Sequence, residues 1–216
     1  MPDCCSPKGY RWIFSERSAR VEARRYRRRG LDGTSRQIVD FLKAQGVEGK
    51  TLLEVGGGIG AIQIELLKAG ASRALSVELT PTYEEVAARL LLEHGLSDRV
   101  ERRVMDFAEA ATEVEGADIV VLNRVICCYP DMPKLTAAAA VHAGTLLVIS
   151  YPRRAWWTRV GLGLSNALLV LFRREFHIYM HPPQRITATA RREGLEPVLN
   201  RQGPLWTVAA MRRIAS

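Results

Sequence analysis

Residues 51–61 read Thr-Leu-Leu-Glu-Val-Gly-Gly-Gly-Ile-Gly-Ala, a short apolar run that ends in four closely spaced glycines. Gly56, Gly57, Gly58 and Gly60 let a ligand approach the backbone where a Cβ would hold it off. A helix beginning at Ala61 would aim unpaired N–H groups and the positive end of its dipole at the same spot, which suits a carboxylate or a phosphate. Glu54 precedes the first glycine by two residues, placing a carboxylate within reach of an ammonium group. Glu78, with Leu79 beside it, closes a second apolar run and can accept hydrogen bonds from a ribose diol. Asp106 and Phe107 follow the third strand expected, Arg99–Met105, where one can accept from an aromatic amine and the other can pack on its ring.

Two cofactor classes fit part of this set. Gly56, Gly58 and Ala61 satisfy the dinucleotide pattern G-x-G-x-x-G/A, so an NAD(P)-dependent oxidoreductase is one reading. Glu54 and the Asp106-Phe107 pair favour S-adenosylmethionine, which presents an ammonium group at one end and an adenine amine at the other.

The elements that must position these residues alternate. Thr51–Val55, Ala74–Glu78, Arg99–Met105, Ala117–Leu122 and Leu146–Ser150 read as strands. Ala61–Ala69, Thr82–His94 and Lys134–Ala143 read as helices between them. Such alternation predicts a parallel sheet covered on both faces. Upstream, Glu16–Arg29 and Thr34–Ala44 read as helices, the second capped by Thr34 or Ser35. Downstream, Pro183–Glu193 reads as a helix. Leu195–Arg201 and Leu205–Met211 then stand too close for a crossover and predict an antiparallel hairpin. Between them, Tyr151–Pro182 is too long and apolar for an ordinary connection and is read as an inserted helical cap over the site.

With its glycine, ribose and adenine motifs in this order, the chain resembles the class I S-adenosylmethionine-dependent methyltransferases over roughly Thr51 to Met211. The resemblance implies a Rossmann-like seven-stranded α/β sheet with a reversed last strand. It also implies one domain over 1–216: an arm at 1–48, a cofactor-binding core at 49–150, the cap at 151–182, and a closing helix and hairpin at 183–216. Glu54 and Gly56 to Gly60 would then hold the methionine end, Glu78 the ribose, and Asp106 with Phe107 the adenine. Asn123 would border the methyl group.

Methyl transfer is an in-line displacement dominated by placement of the acceptor, and a base is needed only where the acceptor must lose a proton. The segment Asn123-Arg124-Val125-Ile126-Cys127-Cys128-Tyr129-Pro130-Asp131 leaves the fourth strand where open α/β sheets place ligands. It lacks the N-P-P-Y/F motif of amino-directed nucleic-acid methyltransferases. Together with the aromatic, basic arm, Glu175-Phe176, Tyr179 and His181-Pro182, it is similar to the magnesium-protoporphyrin O-methyltransferase branch. That branch carries a histidine where Cys128 stands, and Ile13-Phe14 takes the place of its arm tyrosine. Cys128, Tyr129 and His177 are therefore the catalytic candidates. Tyr26, Tyr129, Tyr179 and His181 are the candidates for acceptor contact. The acceptor expected is a small apolar or aromatic molecule, methylated on oxygen. His177 and His181 have helical i, i+4 spacing, but Pro182-Pro183 and the lack of a third ligand argue against a metal.

The chain of 216 residues carries a net charge of +8. Arg11, Arg17, Arg20, Arg24, Arg25, Arg27, Arg28 and Arg29, opposed by Glu16 and Glu22, hold most of that excess. A cluster of this kind suits RNA, an anionic lipid surface or an acidic substrate, or is a solvated helix face. An RNA-directed methyltransferase is accordingly the second alternative. Cys4-Cys5 and Cys127-Cys128 lack C-x-x-C spacing, and residues 1–18 lack a signal-peptide core, so free thiols and a cytoplasmic setting are expected. Val160–Phe172 is apolar and bordered by arginines, too short to span a bilayer but suited to peripheral membrane contact.

Overall fold

The computed structural model describes residue 10 and residues 13–174 and 176–214. Cys4, Cys5, Arg11 and Glu175 lie outside the described residues. The strands are β1 (Thr51–Val55), β2 (Arg73–Glu78), β3 (Val100–Val104), β4 (Ala117–Asn123), β5 (Ala143–Pro152), β6 (Leu195–Gln202) and β7 (Trp206–Arg213). They form one sheet in the order β3-β2-β1-β4-β5-β7-β6. β1 pairs in parallel with both β2 and β4, and only β7 runs against its neighbours β5 and β6. The expected sheet with its reversed last strand is therefore present.

The helices are α1 (Glu16–Arg29), α2 (Gly33–Ala44), α3 (Ala61–Lys68), α4 (Glu84–Glu93), α5 (Met132–His142), α6 (Trp156–Leu171) and α7 (Pro183–Arg192). Alternation along the central strands divides the core in two. Leu52, Ile119, Val121, Leu146 and Val148 face the layer of α1 to α4, while Leu53, Val120, Leu122, Leu147 and Ile149 face α5 and α7. Asp118, the polar residue of β4, accepts from the Thr51 amide and hydroxyl, both at 2.9 Å.

Two expectations are corrected. The cap of α2 is Asp32, which accepts from the amides of Thr34 at 2.9 Å and Ser35 at 3.2 Å; Thr34 and Ser35 lie inside the first turn. The stretch 151–182 does not roof the cavity described below. Its helix α6 lies on the surface with Thr158 as its buried residue. The arm of α1 and α2 takes the covering position, because Ala19, Ala23, Tyr26, Ile38, Val39 and Leu42 pack into the core on that side.

Candidate active site

At β1, strand order switches from one direction to the other, and this is where open α/β sheets form their crevice. A cavity of about 670 Å³ opens there. Its floor is the carboxyl ends of β1, β2, β3 and β4, contributing Glu54 to Gly58, Glu78 with Leu79, Asp106 with Phe107, and Asn123. All the residues expected to hold the cofactor, apart from Gly60 at the helix start, are thus brought to one wall.

The glycine turn is obligatory. Gly56, Gly58 and Gly60 have φ of +66°, +60° and +76°, a region costly for residues with a Cβ. A Cβ on Gly56 would lie 2.6 Å from Val125 Cγ2, and one on Gly57 would lie 2.5 Å from the Glu54 carboxyl carbon. Gly60 caps α3, so the free amides of that helix begin at the turn.

Carboxylates crowd this wall. Glu54 is 2% exposed, and its Oε2 is buried with no hydrogen-bond partner among the described residues. Burial pushes its carboxyl up to about 7. Glu78 Oε1 accepts from the Gly58 amide at 2.6 Å. Burial pushes Glu78 up to about 8 against the opposing pull of Arg102, which stands 4.0 Å away and binds Glu84 at 2.8 Å. Glu22 of α1 faces the same turn from the arm. Its Oε2 lies 3.9 Å from the Cβ position of Gly58; desolvation beside the turn raises its carboxyl, although the residue as a whole stays exposed. Two buried acidic groups, with the more exposed Glu22 beside them, face one space, an arrangement that favours a cationic ligand. The Gly58 amide, already bound to Glu78, is taken up within the turn, which disfavours a pyrophosphate.

Asp106 accepts from Ala108 N at 3.0 Å and from the Tyr129 hydroxyl at 3.1 and 3.2 Å. Phe107 lies beneath it, 3% exposed, edge-on to His142 at 5.3 Å. Asn123 is held rigidly, donating to Ser35 Oγ at 3.1 Å and accepting from Ser150 Oγ at 2.7 Å. The next residue, Arg124, has φ +63° and binds Asp32 at 2.6 Å. Asp32, Ser35, Asn123, Arg124 and Ser150 therefore stitch the arm to the ends of β4 and β5.

The opposite wall is apolar, from Tyr10, Phe14, Val21, Val125 and the buried ring of Tyr129. Tyr10 donates its hydroxyl to the Cys128 carbonyl and packs on Phe14 and Phe176. Cys128 reaches the cavity, but its hydrogen bond to Cys127 and its burial raise the thiol, keeping it protonated. Tyr26 touches the cavity with its ring while its hydroxyl donates to Glu65 at 2.6 Å.

Three candidates stand elsewhere. His177, Tyr179 and His181 do not line the cavity; behind the Cys127-Cys128 turn Tyr179 stacks on His181 and meets His177 edge-on. His177 is exposed and accepts from Asn166 at 3.3 Å. Tyr179 N donates to Cys127 O at 2.7 Å, and His181 Nε2 donates to Tyr129 O at 3.0 Å. These contacts brace the turn from outside, so the catalytic role expected of His177 and the acceptor contacts expected of Tyr179 and His181 are corrected. Among the described residues no cluster of three metal-binding side chains occurs.

Sequence reasoning missed Tyr10, Glu22, Asp32 and Arg124. Asp32 had a signal in Asp-Gly-Thr-Ser, an N-cap pattern. Tyr10 and Glu22 had none, since their place depends on how the arm folds over the sheet.

A sequence profile described as a methyltransferase domain matches residues 23–200. The ribosomal protein L11 methyltransferase of Thermotoga maritima is 38% identical over 126 residues, which is 56% of this chain and 44% of that protein. The protein of the same name from Enterobacter sp. is 26% identical over 117 residues, 54% of this chain and 39% of its own. The chain thus spans less than half the length of these curated relatives. Among solved structures, magnesium protoporphyrin IX methyltransferase from Synechocystis PCC 6803 with bound SAH superposes with a TM-score of 0.72 at 18% identity, covering 94% of this chain and all of that one. An O-methyltransferase family protein from Burkholderia thailandensis gives 0.69 at 22% identity, covering 94% of this chain and 61% of its own.

Proposed function

The chain belongs to the methyltransferase domain family, and from that premise we propose that it moves the methyl group of S-adenosylmethionine onto an oxygen of a small apolar or aromatic acceptor. The observation that carries the cofactor is the unpartnered buried oxygen of Glu54 at the foot of a carboxylate-rich wall. When bound, the cofactor supplies a methyl group on a cationic sulfonium.

The residues divide the work. Glu54 accepts from the ammonium group, and Gly56 to Gly58 leave room for the amino-acid tail. Glu78 takes the ribose diol, while Asp106 and Phe107 take the adenine amine and ring. Glu22 of α1 and Tyr83, which follows β2, line the chamber beside Gly58. The volume falls within the ~300–1,000 Å³ of small-molecule sites, and a nucleoside cofactor fills a large share of it. That leaves space for a small acceptor among Tyr10, Phe14, Val125 and Tyr129.

An acceptor arriving as a carboxylate or phenolate needs no base. This agrees with a wall in which the Cys128 thiol stays protonated and the Tyr129 hydroxyl is committed to Asp106. Titration calorimetry tests the cofactor: S-adenosylmethionine and its demethylated product should both bind, and binding of NAD(P) in their place would return the oxidoreductase reading. Assays against phenols, carboxylates and amines test the atom, and transfer to nitrogen alone would refute oxygen.

A macromolecular acceptor is the second reading, favoured by the exposed arginines Arg20, Arg24, Arg28 and Arg29 on α1. It requires RNA affinity that falls steeply with salt.

A further inference from the structure

Helix α6 turns its apolar side away from the protein. Trp156, Trp157, Val160, Leu164, Leu168 and Leu171 are exposed, from 44% at Trp157 to 73% at Trp156. At about 100° per residue they fall within an arc of roughly 120° along one side of the helix. The opposite side is fastened down. Thr158 is buried, and the Asn166 amide both donates to Ile178 O and accepts from Ile178 N at 2.9 Å. The outward orientation is therefore set by the packing of the helix's other face.

The surroundings are cationic. From Tyr151 to Glu175 the sequence holds Arg153, Arg154, Arg159, Arg173 and Arg174 against the single acidic residue Glu175. The Arg153 guanidinium lies 5.5 Å from the centre of the Trp157 ring. Leu205, 56% exposed, extends the apolar patch, since its carbonyl accepts from Arg153 N at 2.8 Å. The 16 residues of α6 measure about 24 Å at ~1.5 Å per residue, short of a span. Among the described residues no helix is long and apolar enough to cross a membrane.

We propose that α6 docks the protein on an anionic lipid surface, with the helix axis in the plane of the interface. Apolar side chains enter the acyl boundary, the two tryptophans sit at headgroup level, and the arginines meet lipid phosphates. A second copy of the chain suits this face less well. In a two-fold contact the cluster of arginines would be brought against its own copy.

Cosedimentation of the full chain with vesicles of phosphatidylglycerol and phosphatidylcholine in equal parts, at low and high salt, tests the proposal. Binding should be strong at low salt, weaker at high salt, and far weaker on phosphatidylcholine alone. Leu164→Glu combined with Leu168→Glu should lower partitioning on the order of tenfold while leaving circular dichroism and S-adenosylmethionine affinity unchanged. Brominated acyl chains should quench the tryptophan fluorescence, and Trp156→Phe with Trp157→Phe should remove most of that quenching. Absence of anionic-vesicle binding overturns the proposal, as does undiminished binding by the double-glutamate variant. A solution dimer split by that variant also overturns it, because a second copy then covers the face.

Discussion

On one side of the cavity, Glu54, Gly58 and Glu78 are presented by the ends of adjacent parallel strands. On the other, Tyr10, Phe14 and Glu22 are presented by a helical arm that reaches the sheet through side-chain contacts. The first wall is set by backbone pairing: the β1–β2 register places Glu54 opposite Ser76 and Val55 opposite Val77, and Gly56 N then donates to Val77 O at 2.8 Å. The second is set by tertiary packing and by the Asp32–Arg124 pair. A strand-end wall tolerates little change in backbone, whereas an arm wall can vary its side chains with the acceptor.

Substitutions graded by size sharpen this contrast. Gly56→Val should do most damage, since a left-handed φ and a clash with Val125 cost about 2–4 kcal/mol together; calorimetry should show cofactor affinity down on the order of 100-fold, with a lower Tm. Glu78→Ala should weaken cofactor binding roughly 10- to 150-fold, corresponding to about 1.5–3 kcal/mol for a charged acceptor. Retained affinity in both variants would break the distinction between the walls.

Acidity gives an intermediate effect. With Glu54 at about 7 and Glu78 at about 8, affinity for a cationic ligand should rise as pH increases from 6 to 9, and binding near neutrality should release protons measurable by the buffer dependence of the calorimetric heat. Both carboxyls are raised above the ordinary 4.5, so the ligand-free fold binds more protons than the unfolded chain. Its stability from these groups is present at low pH and is lost as pH climbs through about 7 to 8; a thermal scan across pH reads this directly. The smallest effect belongs to His177→Ala. The ring is exposed and outside the cavity, so kcat/KM should stay within about twofold of the parent.

The two walls also differed in how far they could be read in advance. Thr51–Val55 has the expected bounds, because a compact apolar run followed by glycines permits few alternatives. Glu78 closes β2 as expected, and Asp106 stands two residues beyond β3, which ends at Val104. β5 extends beyond Leu146–Ser150 to Ala143–Pro152, since pairing with β4 and β7 recruits residues with no strand pattern of their own. Tyr10 and Glu22 were not legible, because helix periodicity locates a face without saying what that face will meet. His177 and His181 have helical spacing, but the stretch 176–182 is neither helix nor strand, and proline there disfavours the geometry that spacing implied.

The knot of Asp32, Ser35, Asn123, Arg124 and Ser150 joins an N-terminal appendage to the strand ends beneath the ligand. Any coupling between docking of that appendage and capture of the cofactor is reciprocal, each altering the other by the same free energy. Whatever grips the first helices in their seat tightens the grasp on S-adenosylmethionine, and whatever draws them off loosens it. Cofactor affinity in this protein is therefore also a gauge of how its first two helices are seated.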